Sequence, residues 1–150
     1  MSIYIHKSHN VSVLLYHLVC PAKYRATIFS KEVDEELKQI CVELSKRYSI
    51  YFLEIGTDKD HVHFLIQSVP MYSPTKIARI VKSITAKEMF RRRPEVKEKM
   101  WGGEFWTDGY FISSVGKHGS EKAVMKYVKN QGKQRDYIIL HKDQLRLDLV

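Results

Sequence analysis

Apolar and polar positions along the chain fall into blocks that predict strands separated by helices. An apolar run over residues 11–20 predicts a first strand, and residues 51–56, "YFLEIG", predict a second. Residues 61–69, "HVHFLIQSV", predict a third strand, and the "TDKD" before it is typical of a hairpin turn. Residues 109–115, "GYFISSV", predict a fourth strand.

Two helices are predicted between these strands, and each begins after a serine. Ser30 precedes a helix from Lys31 to Tyr48, which has acids in its first turns and basic residues in its last, as the helix dipole favours. Its apolar positions recur at helical spacing: Val33, Leu37, Ile40, Cys41, Leu44 and Tyr48. Ser73 begins a second helix that we expect to end at about Arg93, because a proline follows.

A third helix is predicted after the fourth strand. Ser120 is a suitable cap for "EKAVMKYVKNQ", residues 121–131, and Gly132 ends it. Residues 136–142, "DYIILHK", are a candidate for a short extra strand. The order strand, helix, strand, strand, helix, strand predicts an α+β fold, a ferredoxin-like βαββαβ antiparallel sheet, with one additional C-terminal helix. Right-handed crossovers make the first and third strands neighbours in the centre of that sheet.

Composition and charge narrow the class of protein. The chain has 150 residues, which suits one domain with a single sizeable core. Its 25 basic and 17 acidic side chains give a formal net charge of +8, which favours nucleic acid as partner ahead of a membrane surface. Cys20 and Cys41 lack metal-site spacing, so we expect free buried thiols. The longest apolar run is too short to cross a bilayer, and we expect a cytoplasmic protein.

A histidine pair stands at the start of the third predicted strand. Because a strand alternates its faces, His61 and His63 point to one side with Leu65 and Gln67. The other face is expected to enter the core, through Val62, Phe64 and Ile66. Two imidazoles on one face either hold a metal ion or are ordinary half-exposed strand residues. We expect the nearby His17 to be a structural histidine.

Tyr127 and Gln131 are four residues apart on the third predicted helix and therefore share a face. One reading is a packed aromatic beside a polar residue at a helix end. The other places this helix across the histidine pair, so that Gln131 supplies an amide oxygen to a metal and Tyr127 presents its hydroxyl beside it. Two imidazoles and one amide leave coordination positions open, which suits a catalytic ion, and an oxygen ligand favours Mg²⁺ or Mn²⁺.

Several motifs then occur together and in order along most of the chain. They are "LLYHLVCPAKYRATIF", "DHVHFLI", "VPMYSPTKIARIVKS", "WGGEFWTDGYFISSVG" and "YVKNQ". In this set the sequence resembles the single-tyrosine HUH transposases of bacterial and archaeal insertion sequences. Cys20 departs from the aromatic or other small residue that is common at that position in the family.

The resemblance implies both a site and a reaction. His61 and His63 match the metal-binding pair, Gln131 the third ligand and Tyr127 the nucleophile. Residues 1–150 would form a single HUH transposase domain. Such proteins are homodimers that use a 5′-phosphotyrosine intermediate to cut and rejoin single-stranded DNA at hairpin-marked transposon ends. Some of them assemble the active site in trans, with the tyrosine helix of one subunit serving the histidines of the other.

Two segments are candidates for contact with DNA. Lys23, Tyr24 and Arg25 combine charge with a stacking surface close to the predicted site. Residues 76–99 are rich in basic side chains, which indicates either a cationic track for phosphates or a solvated helix face. The candidates within that segment are Lys82, Arg91, Arg92 and Arg93. For Phe105, Trp106 and Tyr110 we expect core packing or a dimer contact rather than base stacking.

Three other functions remain open from the sequence. A non-catalytic ferredoxin-like RNA- or DNA-binding module would share the fold and the charge, but it has no need to align a tyrosine, a glutamine and two histidines. A structural metal-binding or assembly protein would need more ligands than two histidines. Another HUH endonuclease, a nicking or repeat-associated enzyme, would share the chemistry.

Overall fold

A four-stranded antiparallel sheet is the centre of the structure. The computed structural model describes residues 5–7, 10–12, 14–100 and 103–115 of the chain. The strands of the central sheet are β3 (Leu14–Pro21), β4 (Ile50–Thr57), β5 (His61–Ser68) and β6 (Phe111–Val115). Their order in the sheet is β4-β5-β3-β6, and a separate small hairpin pairs β1 (Ile5–Lys7) with β2 (Asn10–Ser12). The predicted ferredoxin-like order, with the first and third strands of the motif in the centre, is confirmed.

The helices begin where the serine caps predict. The described helices are α1 (Lys31–Arg47), α2 (Pro74–Arg92) and the short α3 (Pro94–Lys99), with a 3₁₀ turn at Lys23–Arg25. The Ser30 hydroxyl accepts from the Val33 amide at 3.2 Å, and the Ser73 hydroxyl accepts from the Lys76 amide at 3.1 Å. Each cap satisfies an amide that has no partner inside its helix. No helix within the described ranges is long and apolar enough to cross a membrane.

Three boundaries differ from the prediction. The apolar run 11–20 is divided, because residues 10–12 pair with residues 5–7 and the central strand starts at Leu14. The fourth strand starts at Phe111 rather than at residue 109. A short helix follows Pro94, since a proline that ends one helix also suits the first position of the next. The predicted helix 121–131 and the predicted strand 136–142 lie outside the described residues.

The core lies between one face of the sheet and the helices α1 and α2. The strands contribute alternate positions to it, and the fully buried ones include Leu18, Cys20, Phe52, Val62, Phe64 and Ile66. The apolar positions of α1 pack against them, as the helical spacing predicts. Cys20 and Cys41 are free and buried, which confirms that expectation, and burial raises the pKa of the Cys20 thiol to about 12.

The opposite face of the sheet carries the histidines. In the ladder between β3 and β5, Pro21 lies opposite His61, Val19 opposite His63, and His17 opposite Leu65. Since paired residues share a face, His17 and the histidine pair project from the same side of two adjacent central strands. The fold therefore brings three imidazoles together.

Candidate metal centre and nucleic-acid surface

His61 and His63 form a compact pair on β5. Their ring centroids are 4.8 Å apart and the ring planes are inclined at 68°. Both side chains are half-buried, while Val62 and Phe64 between and beyond them are fully buried on the other face. Rings this close can each direct one nitrogen at a shared ion. The strand alternation predicted from the sequence is confirmed at every one of these positions.

The Nδ1 nitrogen of each ring already has a partner. His61 Nδ1 lies 2.8 Å from Oδ1 of Asp60, whose other oxygen accepts from Nε of Arg25 at 2.9 Å. His63 Nδ1 lies 3.2 Å from Nε2 of His17, and these two rings stack with centroids 5.3 Å apart. When Nδ1 is the protonated nitrogen, Nε2 is the one that remains for a metal.

The electrostatics around His63 favour the neutral imidazole that a metal requires. Burial lowers the pKa of His63, and the neighbouring imidazoles lower it further. Burial also lowers the pKa of His17. The hydrogen bond from His61 holds the pKa of Asp60 below its usual range, with a further contribution from Arg25. At neutral pH the Asp60 carboxylate is therefore ionised, and the lowered pKa values of His63 and His17 favour the neutral form of these two rings.

The donor set fits a divalent cation with open coordination positions. His61 and His63 supply two nitrogens, and Oδ2 of the exposed Asp58 lies 3.6 Å from Nε2 of His61. Within the described part of the chain, no group of three or more His, Cys, Asp or Glu side chains is arranged to hold a metal ion. A further ligand is therefore needed, and the predicted one, Gln131, lies outside the described residues, as does Tyr127.

A strained turn, Lys23–Arg25, stands directly beside the pair. Tyr24 has φ 59° and Arg25 has φ 52°, the left-handed region that costs a residue other than glycine about 1 to 3 kcal/mol. Backbone hydrogen bonds hold the turn on both sides, from the Ala22 amide to the Asp60 carbonyl at 2.8 Å and from the Lys23 amide to the Phe105 carbonyl at 2.9 Å. The Tyr24 side chain is 68% exposed, and the Lys23 ammonium lies 5.5 Å from its ring centroid.

A loop before β6 closes a groove along α2. Trp106 is buried, its indole Nε1 donates to the Thr85 hydroxyl at 2.9 Å, and its backbone bridges to Ala22. The Lys82 ammonium donates to the carbonyls of Thr107 and Asp108 at 2.7 and 2.9 Å. The groove has a volume of about 620 Å³, and basic and aromatic side chains line much of it: Arg79, Lys82, Lys87, Phe90, Phe105, Trp106 and Tyr110.

The basic residues of the segment 76–99 divide into two groups. One group is exposed: Lys76, Arg79, Lys87, Arg91, Lys97 and Lys99. The other turns toward the protein, namely Lys82, Arg92 and Arg93. Arg92 donates to Glu43 at 2.9 Å and to Glu36 at 3.3 Å, which joins α2 to α1, and Arg93 pairs with Glu36 at 3.5 Å. These contacts favour a structural role for Lys82, Arg92 and Arg93, whereas Arg91, paired to Glu88, keeps an exposed side chain.

Comparison with known proteins identifies the family. The sequence profile of the family described as transposase IS200 like matches residues 10–131. The chain is 30% identical over 118 residues to the ISDra2 transposase TnpA of Deinococcus radiodurans, covering 79% of this chain and 84% of that protein. It is 28% identical over 116 residues to the IS200 transposase of Salmonella typhimurium, covering 77% and 75%. The chain belongs to the IS200-like transposase family, whose members are DNA-processing enzymes.

Solved structures agree with the fold. A candidate transposase from Deinococcus radiodurans R1 superposes with a TM-score of 0.67 at 27% identity, over 84% of this chain and 96% of that one. A REP-associated tyrosine transposase bound to a REP hairpin superposes with a TM-score of 0.50 at 11% identity, over 86% and 74%. The sheet and its helices are therefore those of a tyrosine transposase.

The sequence alone does not predict that His17, Asp60 and Phe111 belong to this site. From the sequence His17 is expected to be structural and Asp60 belongs to a predicted turn, yet both contact the histidine pair. Phe111 is 58% exposed on the histidine face, opposite Val19. Alternation along β6 places Phe111 on one face with Ser113, but only the register with β3 shows that this is the face of the histidines.

Proposed function

We propose that this transposase cuts and rejoins single-stranded DNA at the ends of an insertion element through a 5′-phosphotyrosine intermediate on Tyr127. The observation that carries the proposal is the pair His61 and His63, whose rings share one face with both Nδ1 atoms engaged. Membership of the IS200-like transposase family supports the same chemistry. Tyr127 lies outside the described residues, and its role rests on the sequence motif.

The proposed metal ligands are His61, His63 and Gln131, and the proposed ion is Mg²⁺ or Mn²⁺. When bound, the ion would polarise the scissile phosphate and neutralise charge that develops on it. The protein's own contribution is to present two imidazoles from one strand and to leave coordination positions open for phosphate oxygens. The carboxylate of Asp58, near His61 Nε2, adds negative charge that favours a cation there.

The proposed reaction exchanges one phosphodiester for another. The Tyr127 phenol oxygen forms a bond to phosphorus, and the bond from phosphorus to the 3′ oxygen breaks. The phenol loses its proton, the departing 3′ oxygen gains one, and the DNA 5′ end stays attached to the tyrosine. Since the number of phosphodiester bonds is unchanged, rejoining needs no ATP. A phenol with a pKa of about 10 is a weak nucleophile at neutral pH, so in-line positioning beside a cation is essential.

The proposed DNA surface surrounds the strained turn and the groove along α2. The exposed Tyr24 ring offers a stacking platform for a base, and Lys23 stands against it. The exposed basic residues of the segment 76–99 offer phosphate contacts, with Arg79 and Lys87 on the wall of the groove. Of the predicted DNA contacts, Arg91 and Arg25 are each ion-paired, with Glu88 and Asp60, and both keep side chains that are more than half exposed.

We further propose that residues 1–150 form one transposase domain, that the protein works as a homodimer, and that its substrate carries a hairpin beside the single-stranded cleavage site. The REP-associated relative is described with a hairpin bound, which supports a hairpin-bearing substrate here. A trans arrangement predicts that mixing Tyr127→Phe protein with His61→Ala protein restores cleavage, because a mixed dimer contains one intact site. A cis arrangement gives no rescue when the subunits exchange.

Formation of a covalent protein–DNA adduct tests the proposal. Incubation with single-stranded oligonucleotides carrying a candidate end sequence and Mn²⁺ should yield an adduct that resists denaturing electrophoresis, together with a free 3′-hydroxyl. Tyr127→Phe removes a single oxygen, so it should bind DNA with wild-type affinity but form no adduct. Tyr137→Phe is the matched control and should form it.

The adduct experiment also separates the proposal from its alternatives. Peptide mapping should place the DNA on Tyr127 and not on Tyr110 or Tyr137. A non-catalytic binding module would bind the oligonucleotides without an adduct under any metal condition. Adduct formation by Tyr127→Phe at the wild-type rate would remove the nucleophile assignment.

A further inference from the structure

The Nδ1 atom of each imidazole in the pair contacts a different part of the chain. Asp60 accepts from His61 Nδ1 at 2.8 Å and is held by the guanidinium of Arg25, whose Nε and Nη2 lie 2.9 and 3.3 Å from its two oxygens. His17 meets His63 Nδ1 at 3.2 Å. Both contacts engage Nδ1, which leaves Nε2 of each ring, and Nε2 of His61 lies 3.6 Å from Oδ2 of the exposed Asp58.

The Arg25 contact depends on an unusual backbone. Arg25 and Tyr24 both have left-handed φ angles, 52° and 59°, which residues other than glycine adopt only when surrounding contacts enforce them. The turn is tied to the same aspartate twice, through the Arg25 guanidinium and through the Ala22 amide, which donates to the Asp60 carbonyl at 2.8 Å. The strained turn thus brings the Arg25 guanidinium to Asp60, although the Arg25 side chain stays 60% exposed.

The His17 contact permits two arrangements of protons, and only one is compatible with a metal on His63. If His17 Nε2 is the donor, His63 carries its proton on Nε2 and cannot coordinate through that atom. If His63 Nδ1 is the donor, Nε2 carries a free electron pair that can bind a metal. Stacking of the two rings, with planes inclined at 21°, holds the pair in this alignment.

We propose that Arg25 with Asp60, and His17 independently, are positioning residues that hold His61 and His63 in the Nδ1–H form, which would leave the Nε2 atom of each ring for a metal ion. The proposal rests on the proposed role of the histidines as metal ligands. It reassigns Arg25 from a DNA contact to a support of the metal centre. Residues that hydrogen-bond to metal-ligating histidines generally orient those ligands, and loss of such a residue costs about 10- to 100-fold in metal affinity.

Nitrogen NMR of the metal-free protein tests the orientation directly, without activity. Long-range ¹H–¹⁵N spectra, recorded at a pH where the imidazoles are neutral, distinguish a ring protonated on Nδ1 from one protonated on Nε2. His61 and His63 should both be Nδ1–H in the wild type. Asp60→Ala should convert His61 alone and His17→Ala His63 alone, while Asp60→Asn, which keeps an acceptor oxygen, should retain the Nδ1–H form of His61. A wild-type His61 protonated on Nε2, or an unchanged His61 in Asp60→Ala, would overturn the proposal.

Mn²⁺ affinity in the absence of DNA supplies the second readout. Asp60→Ala and His17→Ala should each lose about 10- to 100-fold in affinity. Glu104→Gln is the matched control, because it removes a carboxylate paired with Lys23 on the same turn without touching an imidazole. Arg25→Lys keeps the positive charge but loses the two-nitrogen contact of the guanidinium with Asp60, so it should also weaken Mn²⁺ binding. A wild-type affinity in Arg25→Lys would overturn the role of Arg25 in positioning.

The two readouts separate failure of this inference from failure of the proposed function. If the wild-type protein binds no Mn²⁺ while its histidines show the expected proton positions, the metal role is wrong and the positioning contacts stand. If it binds Mn²⁺ and Asp60→Ala and His17→Ala bind it equally well, the metal role stands and the positioning proposal is overturned. Circular dichroism of each variant verifies that the fold is retained.

Discussion

Glu54 is an ionisable side chain buried where the edge strand β4 is irregular. The register between β4 and β5 shifts between Phe52 and Glu54, and Glu54 lies opposite Leu65 with only 4% of its surface exposed. Burial raises the pKa of this carboxyl to about 7, although the charge of Lys38 acts in the opposite direction. The folded protein therefore holds a carboxyl that is partly protonated at neutral pH.

The sign of the effect on stability follows from that shift. A carboxyl whose pKa is raised in the folded state favours folding below its unfolded pKa of about 4.5, and this contribution is lost as the pH rises through about 7. At about 1.4 kcal/mol per pKa unit, the difference between the folded and unfolded pKa values corresponds to a loss of about 3 kcal/mol in the free energy of unfolding between low and high pH. Glu54→Gln, which cannot ionise, should therefore be about 2 to 3 kcal/mol more stable than wild type at about pH 9, and this gain should vanish below about pH 4.5.

Urea unfolding of both proteins at a series of pH values measures this difference. The free energy of unfolding of the wild type should fall relative to Glu54→Gln between about pH 4.5 and about pH 7, and the difference should be nearly constant above that range. Glu35→Gln is the control, because it removes one negative charge from an exposed position on α1. If the curves for wild type and Glu54→Gln run parallel across this range, burial does not govern the ionisation of Glu54 and the reasoning fails.

Two further predictions concern the surroundings of the site. Thr85→Val keeps the side-chain shape but leaves the buried Trp106 N–H without its acceptor, so it should cost about 1 to 3 kcal/mol by thermal or urea unfolding. In a Trp106→Phe background the same change should cost less, and an equal cost in both would contradict the hydrogen bond. Tyr24→Ala should weaken single-stranded DNA binding about 5- to 150-fold, the worth of about 1 to 3 kcal/mol of stacking, with an unchanged salt dependence. Tyr24→Phe should bind as the wild type does, and a similar loss in both variants would exclude stacking.

Most of the fold follows from local signals. The alternation in "HVHFLIQSV", the serine caps and the helical spacing of α1 depend on residues within a few positions of one another, and each is confirmed. The predicted start of the first central strand is wrong because residues 11–20 are mostly apolar and contain no Gly, Pro, Asn or Asp to divide them. The helix after Pro94 was missed because proline ends one helix and begins another equally well.

The site is predictable only in part, because its contacts join distant segments. Alternation along one strand suffices to place His61 and His63 on a common face. The contact between His17 and His63 spans 46 positions, and that between Arg25 and Asp60 spans 35, so no periodicity reveals them. The pairing of Arg92 with acids of α1 likewise depends on how two helices pack. The roles of Tyr127 and Gln131 stay predictions from the sequence.

The position of β5 within the sheet has a consequence for how the histidines can move. Every residue of β5 pairs with β3, and most of them pair with β4 as well, so backbone ladders lie on both sides of the strand. His63 lies between both ladders, whereas His61 pairs with β3 alone, so amide hydrogen exchange should be slower at His63 than at His61. The turn at Lys23–Arg25 and the loop before β6 lie outside these ladders and are held by individual backbone hydrogen bonds. Among the described residues, adjustment to different DNA ends is therefore expected in these segments rather than at His63.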